Sequence, residues 1–146
     1  MIKLDWINTY LPLIVPSFLT GAYGTFMLRE FFANIPRDLE DAAAIDGASA
    51  FRIYYSVFIP LAGSALVTLF VLAFINNWNA LLRPVFYISE SHLRTLPLGL
   101  MAFKGAYESQ WHLLLTGSVI SILPLLILYI AAQRFIVEGI ATTGLK

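Results

Sequence analysis

Three long charge-free stretches set the pattern of this chain. Trp6 to Leu28 runs 23 residues without an acidic or basic side chain, Ile53 to Leu82 runs 30, and Leu113 to Gln133 runs 21. Each exceeds the roughly 20 residues with which a helix crosses a bilayer. Hydrocarbon offers no partner to an unpaired backbone amide, so such stretches are expected as helices. The pattern predicts spans over about residues 10–32, 54–75 and 113–135 in an all-α, polytopic membrane protein with three transmembrane helices.

Composition supports this reading. Hydrophobic residues make up 59% of the chain and charged residues 12%, against about 25% charged in soluble domains. Nine basic and nine acidic residues cancel, so there is no cationic footprint for nucleic acid. The absence of cysteine excludes a disulfide framework, thiolate metal sites and a cysteine nucleophile. The first apolar stretch is longer than a secretory signal core and carries Pro12 and Pro16, with only Lys3 as a cationic start, so it is expected to stay in the mature chain.

Three spans put the connection at Glu30 to Arg52 and the C-terminal tail on one side. Arg29, Arg37, Arg52, Arg134 and Lys146 fall there, and Lys3, Arg83, Arg94 and Lys104 fall on the other, a balance too even to orient the chain. Trp6, Trp78 and Trp111 sit at span ends on the second side, where indoles are expected as interfacial anchors. Gly21 with Thr25, Gly63 with Ser64 and Ala65, and Gly117 with Ser121 suit close helix packing. Together with the polar Thr68, Thr116 and Ser118, they predict that these helices pack against further spans or a partner subunit.

The first connection is the least membrane-like segment. From Asn34 to Arg52 it reads as two short helices. Pro36 suits a first helical turn, Asp38, Glu40 and Asp41 favour the positive end of the helix dipole, and Gly47 suits the left-handed residue beyond a helix end. Ser49 is a candidate cap for the next helix. The run Ala42-Ala43-Ala44 leaves a thin, smooth surface against which another protein can pack.

The spacing of this segment resembles the cytoplasmic signature loop of ABC importer permeases: Glu-Ala-Ala, three residues, Gly, nine residues, then Ile-x-Leu-Pro. Here Asp41-Ala42-Ala43 precedes Gly47 by three residues, and Val57-Phe58-Ile59-Pro60 follows after nine more. Asp41, Val57 and Ile59 depart conservatively from the pattern, and Gly63 stands where many relatives carry proline. Phe26-Met-Leu-Arg-Glu-Phe-Phe, Trp78-Asn79 with Pro84, Thr95-Leu-Pro-Leu-Gly-Leu and Gln133-Arg-Phe-Ile-Val-Glu-Gly also look like the carbohydrate-uptake branch.

The resemblance, which covers nearly the whole chain, implies a partial permease fold over residues 1–146 in the bacterial inner membrane, with a cytoplasmic coupling-helix loop at about 34–60. It implies as partners an ATP-hydrolysing subunit, a second permease subunit, an extracytoplasmic sugar-binding protein and membrane lipid. ATP would be bound by the partner, and this chain would carry no cofactor. Asp41, Ala42, Ala43, Asp46 and Gly47 are the expected ATPase interface, and Val57, Ile59 and Pro60 are expected to position the loop. Relatives carry further spans before the region of Tyr10, so the chain reads as truncated. A non-transporting fragment that only binds the ATPase or the partner permease is the alternative.

No catalytic or metal-binding constellation is evident. Glu108 and His112 have helical spacing but read as a solvated pair, and His92 lacks metal-ligand spacing. An intramembrane enzyme is therefore disfavoured. Substrate-binding residues are not assigned. Asn76, Asn77 and Asn79 read more readily as helix-end residues than as sugar ligands, and Tyr23, Thr68 and Ser118 serve helix packing as readily as a pore. Pro124 is expected to mark a kink in the third span.

Overall fold

The computed structural model describes residues 1–19, 21–104 and 110–143, which fold into helices and short connections. The chain forms two compact units, one of residues 1–21 and 73–130, the other of residues 22–72 and 131–146.

In the first unit, α1 (Leu11–Leu19) packs on α7 (Leu82–Tyr87). Asn8 ties the N-terminal segment to the end of α7. Its N–H donates to the Tyr87 carbonyl at 2.9 Å, and its Oδ1 accepts from the Ser89 N–H at 2.7 Å. Asn8 does this from φ 57°, a left-handed conformation that asparagine tolerates better than most residues. Pro12 and Pro84 are fully buried here.

The unit also holds α8 (Leu96–Met101) and most of α9 (Trp111–Thr143). A Cβ at Gly117 of α9 would overlap Leu100 of α8, so this glycine does permit a close approach. Trp78, expected as an interfacial anchor, also makes contacts within this unit. Its indole N–H donates to the Ser121 carbonyl at 3.1 Å, and its ring stacks on Phe74 at 5.3 Å.

In the second unit, α2 (Ala22–Ala33) meets α6 (Gly63–Trp78) where a Cβ on Gly24 would lie 3.1 Å from Leu69. By contrast, among the described residues a Cβ at Gly21 or Gly63 would meet nothing within 4 Å.

The predicted spans appear in altered form. Leu11–Ala33 and Trp111–Phe135 are long and apolar enough to cross a membrane, with 23 and 25 residues. The middle span is broken. Ala50–Leu61 and Gly63–Trp78 meet at 71° around Ala62, and the 16 residues of α6 rise only about 24 Å at 1.5 Å each, less than a ~30 Å hydrocarbon core. The third helix continues through Pro124 and beyond residue 135, to Thr143.

Little of this surface is covered by the chain itself. Besides Pro12 and Pro84, the buried apolar residues among those described are Ile53, Ala62, Ala65, Val71, Ile88 and Ala132, while many Leu, Ile and Phe side chains are exposed. Such an exterior suits lipid and neighbouring helices rather than water.

Candidate functional site

The segment from Pro36 to Pro60 lies in the second unit. Pro36 (φ −58°, ψ 131°) stands just outside α3 (Arg37–Ile45), one position earlier than the first-turn placement expected, and Asp38 and Glu40 occupy the first turn. Proline cannot continue the backbone ladder toward its N-terminal side, and the carboxylates favour the positive helix end.

The C-terminal end of α3 is closed by three backbone bonds. Asp46 N–H donates to Ala42 O at 3.1 Å, Gly47 N–H to Ala44 O at 3.0 Å, and Ala48 N–H to Ala43 O at 3.0 Å. The last two form the paired cap that satisfies terminal carbonyls through a left-handed residue. Gly47 has φ +78°, while a Cβ there would find nothing within 4 Å. Backbone conformation rather than crowding therefore selects glycine. Ser49 then starts α4 (Ala50–Ile53), its Oγ accepting from Arg52 N–H at 3.4 Å.

These bonds bring Asp41, Ala42, Ala43, Asp46 and Gly47 together at one corner. Ala43 is half-buried and the other four are exposed. No residue of α3 is buried. Ile45 is 87% exposed and Phe51 74% exposed, and Ile45 lies three residues from Ala42, a separation that shares a helix face. Neither was singled out from sequence, although an isoleucine and a phenylalanine inside a polar connector were the available signal.

Beyond α4 the helix widens. Tyr54–Phe58 forms a π-turn in which Ile59 N–H bonds to Tyr54 O, and Pro60 in α5 (Ile59–Leu61) follows. Pro60 brings no N–H and its ring crowds the carbonyl four residues back, which accounts for the relaxed turn before it. Val57 and Ile59 are half-buried and Pro60 is exposed.

The two feet of the loop are joined by rings that sequence reasoning did not identify. Phe32 meets Phe58 edge-on at 5.7 Å and Tyr54 at 6.3 Å, and Tyr55 contacts Tyr54 at 5.5 Å and Phe51 at 5.1 Å. Each such pair contributes about 0.5–1.5 kcal/mol beyond its burial. The contact between residues 32 and 58 is non-local, and no local pattern announces it.

Polar groups in the spans mostly satisfy themselves. Thr68 donates to Ser64 O at 2.9 Å, Thr116 to His112 O at 2.8 Å, and Ser118 to Leu114 O at 2.7 Å. Asn77 and Asn79 likewise donate to Ala73 O and Ile75 O, at 2.8 and 3.0 Å. These are helix back-bonds of the kind that keep hydroxyls and amides paired in apolar surroundings. Tyr23 is exposed. His92 Nδ1 lies 3.2 Å from Glu90 on the surface, and Glu108 of the Glu108–His112 pair lies outside the described residues.

Comparison with known proteins gives consistent matches. Residues 1–141 match the family described as "Binding-protein-dependent transport system inner membrane component". The arabinooligosaccharides transport system permease protein AraQ of Halalkalibacterium halodurans is 35% identical over 146 residues, covering 100% of this chain and 52% of that protein. The trehalose/maltose transport system permease protein MalG of Thermococcus litoralis is 34% identical over 146 residues, 99% of this chain and 52% of the relative. The sn-glycerol-3-phosphate transport system permease protein UgpE of Pectobacterium atrosepticum is 34% identical over 140 residues, 94% of this chain and 50% of the relative. The chain thus spans about half the length of these curated relatives.

Proposed function

The chain belongs to the family of binding-protein-dependent transport system inner membrane components, and from that premise we propose that it is the transmembrane permease part of an ATP-driven sugar importer, with the Pro36–Pro60 segment as its coupling element. The supporting observation is the exposed, internally capped corner at Gly47, flanked by Ala42, Ala43 and Ile45. A thin helix surface with an uncovered isoleucine suits the groove of a partner protein. Asp41 and Asp46 flank that surface as acceptors for basic groups.

The mechanism follows from coupling between two binding equilibria. ATP binding on a separate subunit shifts that subunit's conformation, and a docked α3 passes the difference to the spans only through contacts that differ between the two states. This chain supplies the docking surface and the stiff connection to the helices; bond chemistry belongs to the partner. A second permease subunit and an extracytoplasmic sugar-binding protein complete the assembly, and a hydroxyl-rich solute of the kind named for the oligosaccharide permeases is its cargo.

Affinity purification of the tagged chain from its native membrane in mild detergent, followed by mass spectrometry, tests this reading. Recovery of an ATPase subunit with a second permease is expected, and Ala43→Glu should abolish recovery of the ATPase by putting a long charged side chain on the smooth face. Recovery of the chain without an ATPase, or unchanged recruitment by Ala43→Glu, would overturn the docking role.

A further inference from the structure

The unit of residues 1–21 and 73–130 contains a cavity of about 290 Å³ that the coupling role leaves unused. One wall is apolar, formed by Leu13, Ile14 and Phe18 of α1, within a stretch long and apolar enough to span a membrane. Phe18 is 84% exposed beside the cavity. The cavity's polar lining comes from Ser17, Asn77, Arg83 and Thr95.

The polar lining has unfilled hydrogen-bonding capacity. Arg83 Nη1 donates to Ser17 Oγ at 3.1 Å, and Ser17 itself donates to Leu13 O at 2.9 Å, which holds the guanidinium in place. Among the described residues no carboxylate lies within ion-pair distance of Arg83. Its remaining donors suit a tetrahedral oxyanion, which guanidinium engages in a forked geometry. Thr95 Oγ1 is buried without a hydrogen-bond partner. Asn77 spends its amide nitrogen on Ala73 O at 2.8 Å, leaving its carbonyl oxygen as an acceptor for a hydroxyl.

A cation, a spare hydroxyl and a spare acceptor, set against an apolar wall on a membrane helix, match one amphipathic ligand. We propose that this cavity binds the phosphate diester of a glycerophospholipid with a hydroxylated headgroup, with Arg83 on the phosphate and an acyl chain along Leu13, Ile14 and Phe18. A buried, partnerless hydroxyl costs stability, so bound lipid that pairs with Thr95 would also stabilise the fold.

The test uses the full chain, with whatever subunits copurify, in nanodiscs and by native mass spectrometry. Phosphatidylglycerol is expected to be retained over phosphatidylcholine, with apparent affinity falling about tenfold in Arg83→Gln and severalfold in Thr95→Val. Arg83→Lys should keep part of the affinity, which separates loss of charge from misfolding. Equal retention of both lipids, or unchanged phosphatidylglycerol binding in Arg83→Gln, would overturn the proposal. Millimolar inorganic phosphate should leave the bound lipid in place; displacement would instead identify a site for free oxyanion and overturn the lipid assignment.

Discussion

Gly47→Val probes the corner on which the proposed docking surface is built. Gly47 sits at φ +78°, with open space where a Cβ would stand, so the substitution meets strain but no clash. A left-handed conformation costs an L residue about 1–2 kcal/mol, and a β-branched side chain is among the least tolerant. That cost lowers the ratio of capped to uncapped loop by roughly 5–30-fold. The bonds released are those from Gly47 N–H to Ala44 O and from Ala48 N–H to Ala43 O. Amide hydrogen exchange at residues 47 and 48 should therefore accelerate by a similar factor, with amides near Val71 unchanged. ATPase copurification and ATP-dependent uptake should fall in parallel. Gly47→Asn separates the two contributions, because asparagine tolerates the conformation yet adds bulk: exchange should stay near wild type while docking weakens. Unchanged exchange at Ala48 in Gly47→Val would refute the conformational argument, and normal recruitment by both variants would refute the docking argument.

Other consequences are testable in detergent by thermal or chaotrope unfolding. A double-mutant cycle on Phe32→Ala and Phe58→Ala should give a coupling of about 0.5–1.5 kcal/mol, and additive losses would remove the ring contact as the tie between the loop's feet. Ala62 is 0% exposed at the bend, so Ala62→Leu should cost about 1–3 kcal/mol by overpacking, whereas a neutral result would mean the elbow opens freely. Gly117→Val should destabilise through overlap with Leu100, and Leu100→Ala should rescue it in the double variant; failure of rescue would assign the cost to α9 itself.

Much of the loop was legible because its signals are local. A glycine six residues after an acidic residue, with a serine two further on, has few backbone solutions, and the left-handed Gly47 and the Ser49 cap are the ones adopted. The apolar stretches were legible for a similar reason, since length and lack of charge are all that a span requires. The elbow at Ala62 was not, because hydropathy sums composition and cannot sense a π-turn; Pro60 was the only hint. Trp78 was read from its place at a span end, but its partner, the Ser121 carbonyl, lies 43 residues away. The Phe32–Phe58 pairing was hidden in the same way. The cavity at Arg83 draws on α1, α6 and α7, and the unpaired hydroxyl of Thr95 beside it is evident only once the neighbours are known.

The closed corner and the ring contacts at the loop's feet also decide how the segment responds to load. A flexible tether takes up an ångström of pull as slack, because many dihedrals can adjust at little cost. Here the caps at Gly47 and Ser49 and the Phe32–Phe58 contact leave few soft dihedrals between Pro36 and Phe58. In the proposed coupling role the loop would therefore act as a low-compliance lever arm, passing displacement of α3 on as displacement instead of dissipating it along the backbone.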